Sequence, residues 1–280
     1  MKILCMFVCI AAGVEAGFAA GTVYLYRLGA LEVYTLVETT GPGRSQILAG
    51  ADEALLKRYL PADFKSEINA FLVRGGGRTV LVDTGLGGAI FDNLKELGVS
   101  PAAVDAVLIT HMHGDHIGGL AKDGKALFPN ALVYLSAAER DYWTKTSVNA
   151  AAVAALAPYG NRVRTFVPEE PGAALTELVP GFTALAAYGH TPGHTAFLVS
   201  SGSARLLIWG DLMHVQSVQF PRPDISVTYD MDPAAAAETR KKILDYVAKN
   251  RIPVAGMHLL YPAIGTVRAG GEGYGWTAEK

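Results

Sequence analysis

Short apolar runs, each closed by glycine, proline or a polar pair, recur along most of the chain. Residues 31–39 alternate as an edge strand does, and the runs 69–74 and 78–83 are joined by Gly75-Gly76-Gly77, a hairpin signal. Further strands are expected at 106–109, 132–135, 163–167, 182–187, 195–200 and 204–209. Helical patterns fall between them. Asp52 caps a short helix to Tyr59, residues 90–97 follow, Ser136 caps a helix through Trp143, and 148–156 is alanine-rich. The strongest helix is 233–249, with Asp232 as N-cap and Pro233 at the first position, where no N–H is needed. Its Ile243, Leu244 and Val247 keep the 3.6-residue period. Strands, then helices, then strands again suit one α/β domain, a two-sheet sandwich flanked by helices (αββα). The Pro-rich stretch 168–180 reads as a loop between its halves.

The first residues read differently. Lys2 precedes the apolar stretch 3–12, a length suited to an export signal rather than a membrane span, and small residues follow with cleavage expected after Ala16 or Ala19. Residues 1–20 are therefore expected to be a signal peptide, placing the mature protein in the periplasm or outside the cell. An uncleaved anchor running through Tyr24 or Tyr26 is the alternative; Glu15 interrupts it. Both cysteines, Cys5 and Cys9, fall in this segment, so the mature chain has no disulfide and no thiolate to offer a metal. A net charge of -2 without runs of like charge gives no nucleic-acid footprint.

The chemistry concentrates in Thr110-His111-Met112-His113-Gly114-Asp115-His116, directly after the apolar run 107–109. His111 and His113 stand two apart, share a face at an extended strand end and suit one ion. Asp115 and His116 are adjacent, point different ways in a turn and suit a second ion. The chain has only 7 His, so three within one short loop argue against a chance polar loop. Metal sites are where His and Asp cluster. Further ligands are expected past other strand ends, where open α/β layers place them. His194 closes Gly189-His190-Thr191-Pro192-Gly193-His194, Asp211 follows 206–210, and His258 follows 252–257. A single His after a strand is more often structural than ligating; joined to the first cluster, these three read as ligands. His190 reads as a loop residue or a ligand's partner.

Thr-His-x-His-x-Asp-His, the later Gly-His, the Gly-Asp after a strand and the late His resemble the metallo-β-lactamase superfamily. The stretch 79–87 resembles its first motif, in which the Asp, here Asp83, supports a ligand. Gly210-Asp211-Leu212-Met213-His214, Val218-Gln219-Phe220-Pro221, the run 235–240 and Gly273-Tyr274-Gly275-Trp276 resemble the branch of methyl parathion hydrolase and quorum-quenching lactonases. The resemblance runs from about Asn69 to the C-terminus. It implies a sandwich of the metallo-β-lactamase type over 21–280 and two divalent ions. Zn²⁺ comes first, with Mn²⁺, Co²⁺ and Fe²⁺ also suited by all-N/O ligation. In that scheme His111, His113 and His194 hold one ion, Asp115, His116 and His258 the other, and Asp211 bridges with its two oxygens. A metal-bridging hydroxide attacks a lactone or ester, and Asp115 passes a proton to the leaving oxygen. His214 stands where some resembling lactonases carry a tyrosine; it either donates to the substrate carbonyl or lines the pocket. Trp143, Phe220 and Leu259 are candidates for an apolar substrate wall, each also readable as core.

The expected activity is hydrolysis of a lactone of the acyl-homoserine type, with organophosphate triesters or aryl esters as the alternative. β-Lactamases in general lack the bridging carboxylate, glutathione thioesters belong to the cytoplasm, and oxygen-reducing di-iron relatives need a carboxylate where His113 stands. A binding protein with a dead site is at odds with a full ligand set. The expected partner is a small-molecule ester or lactone, not nucleic acid. No stable membrane insertion is expected once the signal is cleaved, and a homodimer is left open.

Overall fold

In the strand Lys65–Gly75, Phe71 and Val73 face one way and Ala70 and Leu72 the other. The same two-residue period separates Val80 and Val82 from Leu81 in Arg78–Val82, and Ala106 and Leu108 from Val107 in Ala106–Leu108. The first set joins Phe197 and Val199 of a second sheet in one buried cluster. The second set joins Ile90 and Leu94 of the helix Ala89–Glu96 and Ala152 and Ala155 of Ala150–Leu156. On the far side the helix Pro233–Asn250 buries Ile243, Leu244 and Val247. The layers are helix, sheet, sheet, helix, as the element order predicts. The computed structural model describes residues 23–173 and 176–280; the expected signal segment, 1–20, lies outside the described residues.

Each seven-stranded sheet comes from one half of the chain. The first runs Val23–Leu28, Leu31–Pro42, Lys65–Gly75, Arg78–Val82, Ala106–Leu108, Leu132–Ser136, Val163–Phe166. The second runs Glu177–Val179, Phe182–Ala186, Thr195–Ser201, Ala204–Ile208, Val254–Ala255, Ile264–Gly270, Gly273–Ala278. Arg78–Val82, Ala106–Leu108 and Leu132–Ser136 pair in parallel, as do Ala204–Ile208 and Val254–Ala255. Their carboxyl ends feed the loops that carry the His and Asp residues.

Three expectations shift. The loop expected over 168–180 contains the edge strand Glu177–Val179. The helix expected from 148 starts at Ala150, because the Asn149 side chain accepts from Ala151 N and Ala152 N as its cap. The C-terminal hairpin was not predicted; its Trp276 stacks on Phe220 at 5.2 Å, and both Phe220 and Leu259 belong to the core rather than to a substrate wall.

A bulge near one sheet edge organises the helix Ala89–Glu96. The register of Leu31–Pro42 against Lys65–Gly75 shifts between Val37 and Thr39, leaving Glu38 unpaired on the bulge and turned inward. Gly88, the N-cap of Ala89–Glu96, has no side chain to cap with. Glu38 does this from outside: Oε1 accepts from Gly88 N at 2.6 Å and Oε2 from Ile90 N at 2.5 Å. Glu38→Ala should therefore cost about 1–2 kcal/mol in a urea titration. Burial raises the Glu38 carboxyl above its ordinary 4.5. A raised folded-state value favours the protonated form, so this residue's contribution is largest below the ordinary value and falls as pH rises through the folded one. Glu38→Gln should accordingly gain on the parent protein as pH rises above the ordinary carboxyl value; a stability difference that stays constant across that rise would refute the cap's ionic cost.

Candidate metal centre

Two backbone devices set the ligand loops. Asp83 closes Arg78–Val82 in the left-handed region, φ 57, fully buried. It accepts from Thr110 N at 2.8 Å, Thr110 Oγ1 at 2.7 Å and His116 Nδ1 at 2.7 Å, so one carboxylate anchors both ends of the loop 110–116. Gly210, φ 62, turns the chain after Ala204–Ile208, and a Cβ there would sit 2.4 Å from His194 Nε2. That bend presents Asp211 N–H to His194 Nε2 at 3.0 Å and leaves the Asp211 carboxylate facing the histidines.

Around it two groups of donors form. His111 Nε2 and His190 Nε2 each lie 3.0 Å from His113 Nδ1, and 3.5 and 3.3 Å from Asp211 Oδ2. In the second group His116 Nε2 lies 3.2 Å from Asp211 Oδ1, and His258 Nε2 lies 3.1 Å from Asp211 Oδ2. Asp115 Oδ2 stands 3.6 and 3.5 Å from those same two nitrogens. Within each group the donor atoms fall inside 4.8 Å of one another, and Asp211 belongs to both.

The donors fit a cation by their other contacts. Metal-bound imidazoles usually give their second ring N–H to a protein acceptor. Here His111 Nδ1 meets Thr110 Oγ1 at 3.1 Å, His116 Nδ1 donates to Asp83, His190 Nδ1 donates to Asp230 Oδ1 at 2.8 Å, and His258 Nδ1 donates to the Glu67 carbonyl at 2.7 Å. Among the described residues, His116 Nε2 and Asp211 Oδ1 are buried with no hydrogen-bond partner. Against the burial that opposes ionisation, His116, His258 and His111 hold Asp211 well below the usual carboxylate range, and His116 and His258 do the same for Asp115. Burial, with His190 beside it, lowers His113 to about 3, so its lone pair stays free. The carboxylates act the other way on their neighbours, against burial: Asp211 with Asp115 and Asp83 raises His116, and Asp211 with Asp230 raises His190 to about 9, so a divalent ion taking these nitrogens must displace a proton.

The structure groups the expected ligands differently at one position. His194 lies outside both groups: its Nδ1 donates to the Ala187 carbonyl at 2.7 Å and its Nε2 accepts from Asp211 N. Both of its nitrogens are engaged within the protein. His190, expected as a loop residue or a ligand's partner, stands with His111, His113 and Asp211 in the first donor group. His214 falls beside the centre, Nε2 3.2 Å from Asp211 Oδ2 and its ring stacked on His258 at 4.7 Å. Trp143 stands against His113, ring centroids 5.6 Å apart.

Sequence reasoning missed the residues that hold His190. Asp230 Oδ2 accepts from Val227 N at 3.0 Å and from Arg240 Nη2 at 3.4 Å. Arg240 is buried on Pro233–Asn250 and also donates to the carbonyls of Leu212, Pro223 and Ile225. A signal was present: Arg240 sits four residues past Ala236 and three before Ile243, on the apolar stripe of the helix. A charge there needs internal partners.

A family model described as Metallo-beta-lactamase superfamily matches residues 65–251. The chain belongs to that superfamily. Metallo-beta-lactamase proteins depend on divalent metal, consistent with the two donor groups. Among solved structures the chain is similar to a hydrolase of the beta lactamase superfamily, AbOPH, at TM-score 0.82 and 31% identity, over 94% of this chain and 99% of that one. It is also similar to AidC, described as a dizinc quorum-quenching lactonase, at TM-score 0.84 and 26% identity, over 93% and 98%. Ribonuclease TTHA0252 of Thermus thermophilus is 32% identical over 196 residues, 62% of this chain and 42% of that protein. Ribonuclease Z of Aeropyrum pernix matches over 14% of its length, so the chain spans less than half of these curated relatives.

If His190 rather than His194 ligates, His190→Ala should lose about one equivalent of bound metal after desalting, read by plasma emission. Asp230→Asn should weaken retention about 10- to 100-fold. A full metal complement in His190→Ala would return the role to His194.

Proposed function

We propose that this superfamily member is a dinuclear metal-dependent hydrolase of lactones and related esters, of the acyl-homoserine lactone type. The observation that carries the reading is Asp211, one buried carboxylate shared by two complete donor groups. Likeness to AidC over nearly the whole chain supports the substrate class. Zn²⁺ suits the donor set best, with Mn²⁺, Co²⁺ and Fe²⁺ close behind. When bound, such ions supply a nucleophilic water near neutral pH and a Lewis acid for the substrate oxygen.

The chain's own residues supply the rest. Asp211 joins the two groups: Oδ2 faces His111, His190 and His258, and Oδ1 faces His116. Asp115, its side chain 26% exposed where Asp211 is buried, is the carboxylate placed to hand a proton to a leaving oxygen. His214 Nδ1 is buried with no protein partner, and burial lowers this imidazole to about 4. As the Nδ1–H tautomer of the neutral ring it would donate to a substrate carbonyl. Trp143 beside His113, and Tyr229, 49% exposed and 6.2 Å from the His214 ring, offer apolar surface to an acyl chain. The reading also takes residues 1–20 as an export signal, which fractionation of the native producer would test.

The deciding assay sets kcat/KM on a long-chain acyl-homoserine lactone against that on an aryl dialkyl phosphate triester, with metal-replete protein. The expected result is about 10⁴ M⁻¹s⁻¹ or more on the lactone and weak turnover of the triester; the reverse order would overturn the lactone reading. His214→Ala should lower kcat on the order of 100-fold with metal content intact. Loss of metal in that variant would make His214 a structural neighbour instead.

A further inference from the structure

Ser136 and Glu139 form the sequence Ser-x-x-Glu of a capping box, and Ser136 Oγ accepts from Glu139 N at 3.1 Å as that motif requires. The Glu139 side chain does not complete the box by returning to the helix N-terminus. It is fully buried and takes four hydrogen bonds from elsewhere. Oε1 accepts from Met112 N at 2.9 Å and Trp143 Nε1 at 2.6 Å. Oε2 accepts from Thr191 Oγ1 at 2.8 Å and Gly193 N at 2.9 Å.

These donors are not a random set. Met112 lies between His111 and His113, on the loop from the first sheet. Thr191 and Gly193 flank the turn after His190, on the loop from the second sheet. Trp143 is the ring against His113. The helix Ala137–Asp141 runs straight into a π turn, Tyr142–Thr146, and Trp143, in its first residues, reaches back to Glu139. Such turns recur at functional sites. The loop around Gly193 is pressed onto the helix start: a Cβ there would lie 2.2 Å from Glu139 N, and Ser136 Oγ donates to the Gly193 carbonyl at 2.8 Å.

We propose that Glu139 is a positioning residue that sets the distance between the two ligand-bearing loops of the first donor group and ties the pocket wall at Trp143 to them. It acts through Met112 and Thr191 on His111, His113 and His190. Four donors on two oxygens require a carboxylate. An amide in its place turns an –NH₂ toward two N–H or O–H groups, so one loop or the other is released. The inference rests on metal binding at this centre, not on the ester substrate.

The test is metal affinity by chelator competition on the full chain, with thermal stability measured alongside. Glu139→Gln, which keeps size and shape, should weaken the more loosely held ion about 10- to 100-fold. Thr191→Val removes one donor and should weaken it about 3- to 10-fold, which also keeps the idea testable if the Gln variant does not fold. Combined, the two changes should cost less than their sum, because they act on one contact. In the active protein Glu139→Gln should also raise KM through the freed Trp143, while Glu139→Asp recovers part of both effects. Wild-type affinity in folded Glu139→Gln, or strictly additive losses, would overturn the proposal, leaving Glu139 a stabilising core residue. Absence of metal binding by the parent protein would instead overturn the hydrolase reading itself.

Discussion

Everything around this centre answers one electrostatic problem: imidazole nitrogens and carboxylate oxygens crowded together out of water. His111 Nε2 and His190 Nε2 each approach His113 Nδ1 to 3.0 Å, and five further nitrogen–oxygen approaches to Asp211 lie between 3.1 and 3.5 Å. Buried acceptors without donors are costly, and a cation relieves the cost. Until one binds, the geometry has to be imposed from behind. Hence the outward-facing nitrogens are held by Thr110, Asp83, Asp230 and the Glu67 carbonyl, and these partners come from both sheets and from the loops between them.

The support extends a second layer out. His190 is only as fixed as Asp230, and Asp230 is fixed by Arg240 from the outer helix. A guanidinium taken out of water demands partners for all its donors, and Arg240 finds three carbonyls and a carboxylate in the segment 212–230. The same segment carries His214 and Tyr229. Wall and ligand are therefore positioned by one buried charge, and a change at Arg240 reaches both.

How much of this was legible follows from the range of each interaction. The layers could be read because strand periodicity is local: one residue up, one residue down, as in Phe71, Leu72 and Val73. The cluster 110–116 could be read because its donors are adjacent in sequence. The choice between His190 and His194 could not. Both sit in one loop four residues apart, and what decides is the left-handed bend at Gly210, which delivers the Asp211 amide to His194 and so engages it. Nor does any local pattern reveal that the Glu of Ser136-x-x-Glu139 abandons its helix for loops 27 and 52 residues away. Where a motif has an ordinary local reading, only its burial betrays the longer-range use.

The two-sheet architecture gives that long range its purpose. The first donor group takes His111 and His113 from the half of the chain that forms one sheet, and His190 and Asp211 from the half that forms the other. The second takes Asp115 and His116 from the first half, Asp211 and His258 from the second. Neither half alone contains a complete group. An ion held by either group cross-links the sandwich at its open edge, so its binding free energy adds to the free energy that keeps the sheets together. Asn69 already bridges them at that edge, its side-chain amide donating to the carbonyls of Met257 and Leu259 on either side of His258. Metal affinity and domain stability are thus two measures of one interface, and residues that tune the first without touching an ion do so by setting how closely the halves approach.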